Sequence, residues 1–442
     1  MSKILRTQPV LHMPGPTYRI PGLVLTDHEF PVPLDHAHPE AGELTVFARE
    51  VVAVEKEGAN LPWLVFLQGG PGFAAPRPFD RTGWVKRATE EYRVLMLDQR
   101  GTGRSSPVSF QSLARLPSAE EQAEFLRHFR SDSIVADAEW IRRRLLADDE
   151  PWTVLGQSYG GFCATHYLSQ SPAGLRAVLI TGGLPPLDAT CEDIYRRTYP
   201  TVARKNRAYY ERYPGDVERV QAIVACLVAD DVRLPCGDRL TPRRFQQLGL
   251  QLGFSDGFEI LHYLFEDAFV SGSHGRELSY FFLRGFEHAL HFDTNPIFSV
   301  LHEACYTQQA ASRWAAERVR SEFPEFEPRA GAPVFLTGEM IYPWMFAEIG
   351  ALRPLADVAE ILAQFEDWPR LYDPEALSRN SVPCAAAVYY DDMYVDRRFS
   401  LETAEKIPGV RPWITNEYEH NGLRAAGEVV LDRLLGMVAG RL

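Results

Sequence analysis

Gly156-Gln157-Ser158-Tyr159-Gly160 sets a serine between two glycines, the spacing of a nucleophile held on a tight strand-to-helix turn. Such a turn strains the backbone and brings the helix close to the strand, so only small residues fit at its flanks. The context agrees. Trp152-Thr153-Val154-Leu155 reads as a short buried strand, and Gly161 to Leu168 as the start of a helix. A serine hydroxyl is a weak nucleophile until a neighbouring base takes its proton, and the base needs an acid to orient it. Behind an elbow of this kind the chain order is Ser, then Asp or Glu, then His. The partners of Ser158 are therefore expected in loops that follow later strands.

Two such loops stand out. The strand ending at Tyr390 runs into Asp391-Asp392-Met393-Tyr394-Val395-Asp396. Asp391, Asp392 and Asp396 all occupy the right loop, and Asp392 is the favoured acid. The next strand runs into Asn416-Glu417-Tyr418-Glu419-His420-Asn421-Gly422. His420 is the only histidine after His302 and is the expected general base. A tetrahedral intermediate also needs two donors aimed at its oxyanion. The backbone N–H of Tyr159 is one. The glycines of Gln68-Gly69-Gly70-Pro71-Gly72 let the backbone approach a substrate oxygen, so Gly69 or Gly70 supplies the other; Gly70 is the expectation adopted. A phosphate-cradling loop is not indicated, because no G-K-[ST] follows.

These residues need a scaffold. Alternation over residues 28–54, as in Glu43 to Val51, predicts antiparallel strands opening a sheet. The apolar runs Leu61–Leu67 and Tyr92–Leu97 read as buried parallel strands. Ser131 or Asp132 is placed to cap a helix with Ile134, Ala138, Ile141 and Leu145 on one stripe. The elbow strand, its helix and a strand over Leu175–Thr181 follow. Strands alternating with helices predict an α/β fold, a mostly parallel doubly wound sheet with helices on both faces. From about 187 to 378 the chain is helix-rich and aromatic. Thr241-Pro242 and Asn295-Pro296 look like caps with proline at the first helical position, and few strand-like runs appear beyond Val334-Phe335-Leu336. The sheet pattern resumes at Val382–Tyr390, with a helix near Ser400, a strand over Val410–Thr415 and a terminal amphipathic helix. The expected organisation is a core over 1–186, a helical insertion over 187–378 and the rest of the core over 379–442.

The chain has 442 residues, 45% hydrophobic and 24% charged, with a net charge of −13. Such acidity argues against nucleic acid and against an anionic membrane surface as partners. The stretch after Met1–Arg6 carries no signal-peptide pattern, and no run approaches a membrane span. Six cysteines without C-x-x-C spacing fit reduced core residues of a cytoplasmic protein. No metal or other cofactor is called for: His302-Glu303 would need a second histidine at 306 to form a zinc helix, and that residue is Tyr306.

Gln68-Gly69-Gly70-Pro71-Gly72, Asp98-Gln99-Arg100-Gly101-Thr102-Gly103-Arg104-Ser105 and Gly156-Gln157-Ser158-Tyr159-Gly160-Gly161, in that order, resemble the proline iminopeptidase (prolyl aminopeptidase) family of α/β-hydrolases. The long insertion and the Tyr390-Asp391-Asp392-Met393 and Glu419-His420 segments resemble its larger-cap branch. Gln68 departs from the histidine common there, which leaves the backbone donors intact. In the family the aspartate preceding Met or Val in this loop is the triad acid, which supports Asp392. The resemblance implies α/β-hydrolase architecture and release of N-terminal proline from small peptides. Such an exopeptidase must bind a free cationic imino group and stop the chain there, which calls for cap carboxylates and an apolar slot. Glu303 and Glu339 sit singly in apolar sequence and are the candidate amine ligands; Tyr306, Trp344 and Tyr280-Phe281-Phe282 are candidates for the slot, with simple core packing as the competing role. Asp98 and Arg100 are expected to form a structural hydrogen-bonding pair under the glycine loop. The alternatives kept open are an esterase, an amidase or a broader aminopeptidase on the same triad, or a non-catalytic relative that binds a small ligand.

Overall fold

The computed structural model describes residues 14–146, 150–273, 275–329 and 331–442. The reading of the extreme N-terminus lies outside them. Nine strands form one sheet, in the order β1-β2-β3-β5-β4-β6-β7-β10-β11. The first three, β1 (Thr17–Ile20), β2 (Leu23–Pro33) and β3 (Glu43–Ala53), are antiparallel, and β3 also meets β5 antiparallel. The others run parallel: β4 (Trp63–Leu67), β5 (Arg93–Leu97), β6 (Trp152–Gln157), β7 (Leu175–Thr181), β10 (Cys384–Tyr389) and β11 (Val410–Thr415). This is the α/β-hydrolase arrangement expected of the sequence. The strand periodicity explains its two cores. Val65, Leu67, Leu95 and Leu97 join Ile134, Ala138 and Ile141 on one face. Leu64, Phe66, Val94 and Met96 join Val430, Leu431 and Leu434 of the terminal helix Gly427–Val438 on the other.

Between β7 and β10 the chain is built mainly of helices, from Cys191–Arg212 to Pro374–Ser378, with one small hairpin, β8 (Phe269–Gly272) and β9 (Gly275–Leu278). Its apolar side chains, among them Tyr199, Val202, Phe245 and Leu336, continue the first core.

Four local expectations change. Val334–Leu336 is not a strand. Its backbone is held by side chains instead: Leu336 N–H donates to Asn206 Oδ1 (2.7 Å), Leu336 C=O accepts from Asn206 Nδ2 (2.8 Å), and the carbonyls of Val334 and Phe335 accept from Tyr210 O–H (2.6 Å) and Gln246 Nε2 (2.7 Å). The helix Ser131–Leu145 takes Arg130 as its N-cap residue, so neither Ser131 nor Asp132 caps it. Thr241 does cap its helix, accepting from Arg244 N–H at 3.2 Å. Asn295 precedes the helix Pro296–Leu301 without capping it, because its side chain donates to Gly72 C=O at 2.9 Å. Finally, Asp98 and Arg100 do not pair with each other. Asp98 binds the Arg77 guanidinium and the N–H groups of Ala75 and Arg104, whereas Arg100 binds Asp137 and the carbonyls of Pro33, Leu34 and His128. The two side chains, separated by Gln99, point to different partners, so each buries its charge in its own network.

Candidate active site

Ser158 sits between the end of β6 and the helix Tyr159–Gln170, at φ +52° and ψ −122°. A non-glycine residue there is strained and persists only when its surroundings hold it. Ser158 N–H donates to Thr181 C=O (2.9 Å), and its C=O accepts from Gly161 N–H (2.7 Å). Gly160 is required at this bend, because a Cβ would overlap the carbonyl oxygen of Leu67. The hydroxyl is thereby fixed at the C-terminal edge of the sheet.

His420 lies in the loop after β11, and Asp392 in the loop after β10. His420 Nε2 is 2.9 Å from Ser158 Oγ, and His420 Nδ1 is 2.7 Å from Asp392 Oδ2. The second oxygen, Asp392 Oδ1, accepts from the N–H groups of Tyr394 (2.8 Å) and Val395 (3.0 Å). The backbone N–H of His420 donates to Gly253 C=O in the insertion at 3.2 Å, and the Tyr394 ring lies 4.6 Å from the imidazole. All three side chains are buried. Burial presses the His420 pKa down; the charge and hydrogen bond of Asp392, with the charges of Glu339 and Glu419, outweigh it and leave it raised. The geometry separates the three aspartates of the loop. Asp391 pairs with Arg204 at 3.1 Å, and Asp396 caps the helix Arg397–Lys406 through Arg398 N–H at 2.9 Å.

Ser158 and His420 open onto a cavity of about 730 Å³, shared by Gly69, Gly70 and Glu339. Gly70 has φ +132°, and a Cβ there would come within 2.9 Å of Gly72 N and the Phe73 ring. Among the described residues the Gly70 N–H has no hydrogen-bond acceptor. Tyr159 is the first residue of its helix, a position whose N–H has no intrahelical acceptor. Neither expected oxyanion donor is therefore committed to a backbone acceptor, and Gly70 shares the cavity with Ser158.

The candidate residues of the insertion part company. Glu339 lines the cavity, half-buried, and its carboxylate forms no hydrogen bond or ion pair among the described residues. Burial is the main cause that pushes its pKa up to about 7, with His420 acting to lower it and Asp392 to raise it. Glu303 is also pushed up to about 7 by burial, but it is not in the lining. Its two oxygens accept from Ala315 N–H (3.1 Å) and Ala316 N–H (2.9 Å), at the start of the helix Ala315–Arg320. Trp344 stacks on Tyr342 at 5.4 Å, under the Arg243 guanidinium, and is also outside the lining. Tyr306 packs edge-on against Phe162 and His302 and is not in the lining. Tyr280 and Phe281 are exposed and Phe282 is core.

The aromatic lining includes Phe73, Phe254, Phe292, Phe298 and Tyr394, with Phe66 and Trp84 from the sheet side. Sequence reasoning passed over these. Phe73 directly follows the glycine loop and Tyr394 lies two residues from Asp392, so proximity to motifs was a usable signal there. Phe254, Phe292 and Phe298 carried none. Gln99 was also missed: its side chain donates to Gln68 C=O at 2.9 Å and ties the glycine loop to its neighbour. Among the described residues no group of three or more His, Cys, Asp or Glu side chains is placed to hold a metal ion.

Residues 62–234 match the α/β-hydrolase fold family model. Over 419 residues the chain is 50% identical to a proline iminopeptidase of Aeromonas sobria, covering 95% of this chain and 97% of that one. The chain belongs to the proline iminopeptidase family. A second relative, a proline iminopeptidase of Aspergillus aculeatus, is 36% identical over 430 residues, 94% of each chain. Matches of this length run through residues 187–378 as well as the sheet, so the proline iminopeptidase likeness includes the insertion that supplies Glu339.

Proposed function

We propose that this protein is a serine aminopeptidase that releases N-terminal proline from small peptides. The observation that carries the reading is the Asp392–His420–Ser158 relay opening onto the same cavity as the carboxylate of Glu339, which is unpartnered among the described residues. Ser158 Oγ attacks the prolyl carbonyl while His420 Nε2 takes its proton. Asp392 holds the other ring nitrogen protonated and stabilises the imidazolium that forms. The N–H groups of Tyr159 and Gly70 receive the oxyanion. His420 then protonates the departing amine, and water, deprotonated by His420, hydrolyses the acyl-enzyme.

Glu339 receives the cationic imino group. An ammonium close to a carboxylate in a partly desolvated site favours its charged form, so substrate binding completes an ion pair that the free enzyme lacks. Phe254, Phe292 and Phe298 provide apolar surface for the pyrrolidine ring. Residues 187–378 act as a cap over a core made of 1–186 and 379–442. The proposed setting is the cytoplasm, where the buried thiols of Cys163, Cys191, Cys305 and Cys384 stay reduced. No helix among the described residues is long and apolar enough to cross a membrane.

The test compares prolyl-, N-acetyl-prolyl- and alanyl-nitroanilides with a nitrophenyl ester, for wild type and Ser158→Ala. The expected result is turnover of the free prolyl substrate far above its acetylated form, with loss of about 10⁵-fold or more in the variant. Equal rates on free and acetylated substrates would overturn amine recognition. Preference for the ester would favour the esterase reading.

A further inference from the structure

A second hollow lies behind the triad acid. It encloses about 210 Å³ between the helix Cys191–Arg212, the loop after β10 and the start of the helix Arg397–Lys406. Five guanidiniums line it, from Arg196, Arg197, Arg204, Arg397 and Arg398, against two carboxylates, Asp392 and Asp396. That concentration of positive charge stands out in a chain of net charge −13.

The two carboxylates are already occupied. Asp392 is bound by His420 and two backbone N–H groups, and Asp396 caps its helix. Arg196 is held by Glu322 and Arg204 by Asp391. Among the described residues, no ion pair is formed by Arg197, Arg397 or Arg398. Two of these three are braced by rings instead. The Arg397 guanidinium lies 3.6 Å from the centre of the Tyr390 ring, and Arg197 lies 5.9 Å from that of Phe399. Stacking fixes the plane of a guanidinium and leaves its edge N–H groups free to donate. Planar forks gathered around a small polar hollow suit a tetrahedral oxyanion, which accepts several charge-assisted hydrogen bonds at once. A wider hollow of about 530 Å³ adjoins it, sharing Arg196 and Arg197 and adding Phe399, Thr403, the Lys406–Asp188 ion pair and the carboxylates of Asp193 and Glu402. It has room for an organic body attached to the anion.

We propose that the Arg197–Arg397–Arg398 hollow is a binding site for a phosphate group, separate from the peptide cavity. The ligand is either inorganic phosphate or a small phosphomonoester whose body lies in the adjoining hollow. Because Asp392 forms part of the wall, the bound group sits one side chain from the catalytic relay.

Binding is tested directly, without reference to peptidase activity. Calorimetry and thermal denaturation are run with phosphate, phosphoserine and sulfate against sodium chloride at matched ionic strength. The wild type is expected to bind a phosphate ligand with a dissociation constant below about 1 mM and to melt at higher temperature in its presence. Arg397→Gln/Arg398→Gln is expected to weaken binding at least tenfold. Arg197→Gln, a single change on an exposed face, is the second variant should the double one fold poorly. Tighter binding of phosphoserine than of phosphate would place the ligand body in the wider hollow; the reverse order would assign inorganic phosphate. No saturable binding beyond the chloride control, or equal binding by folded variants, would overturn the proposal.

Discussion

Glu303 and Glu339 are both pushed up to about 7 by burial, yet only Glu339 opens onto the cavity that holds Ser158. Glu303 spends its oxygens on the first N–H groups of the helix Ala315–Arg320. The two substitutions should therefore fail in different ways. Glu339→Gln should raise KM for prolyl substrates and lower kcat/KM by about 10²-fold or more, with little effect on an N-acetylated substrate, since a desolvated ion pair to a cation is lost. Glu303→Ala should leave kcat/KM within a few-fold and cost about 2 kcal/mol of stability by denaturant titration, the loss of a helix cap and of a buried acceptor. Steady-state kinetics on both variants checks the contrast.

The same carboxyl sets a pH dependence of stability. Its folded pKa of about 7 lies above the ordinary value of 4.5, so the fold favours the protonated form. That preference is fully present below about pH 4.5 and is lost as the pH rises through 7. Glu339→Gln should match the wild type near pH 5 and exceed it at pH 8 by on the order of 2 kcal/mol, allowing for water in the cavity. Chemical denaturation at the two pH values measures the difference. A constant offset at both would show that the carboxyl is not titrating.

Activity should have a compound acid limb. In the free enzyme His420 must be neutral, with its pKa raised above 6.5, and Glu339 must be ionised, with its pKa about 7. Both requirements are lost as the pH falls, so kcat/KM should drop with a slope steeper than one proton. In Glu339→Gln the slope should fall to one proton, from His420 alone. For kcat the Glu339 step should move to lower pH, because the bound ammonium stabilises the carboxylate.

The neighbouring aspartates offer a sharp contrast. Asp392→Asn leaves the loop shape but removes the charge that orients His420, and should lower kcat by about 10⁴-fold. Asp391→Asn breaks only a half-exposed pair with Arg204 and should change activity by less than about twofold and stability by less than about 1 kcal/mol. Comparable losses in both would overturn the assignment of Asp392.

Much of this molecule was legible in the chain because its signals are local. The elbow Gly156–Gly160 needs small residues where a strand turns sharply into a helix. The apolar runs at 61–67, 92–97 and 382–390 are long enough only for buried strands. Asp392 and His420 follow such strands, and chain order then limits the choice. Signals failed where a backbone finds its partner far away in sequence. Val334–Leu336 looked like a strand because its composition is right, but the side chains of Asn206, Tyr210 and Gln246, distant in sequence, satisfy its hydrogen bonds. Asp98 and Arg100 looked like a pair because they are close in sequence, but each is satisfied by residues from other elements.

By itself the sequence determined that Ser158 is poised on a nucleophile elbow and that Asp392 and His420 stand at the loops able to serve it, since each depends on a few neighbouring residues. The tertiary structure decided which side chains of residues 187–378 reach that serine. Glu303 and Glu339 occupy like sequence environments; the packing of the insertion against the sheet gave one a helix terminus to cap and left the other a carboxylate without a partner among the described residues, facing the cavity. That outcome depends on contacts between elements distant in sequence, which no local pattern encodes.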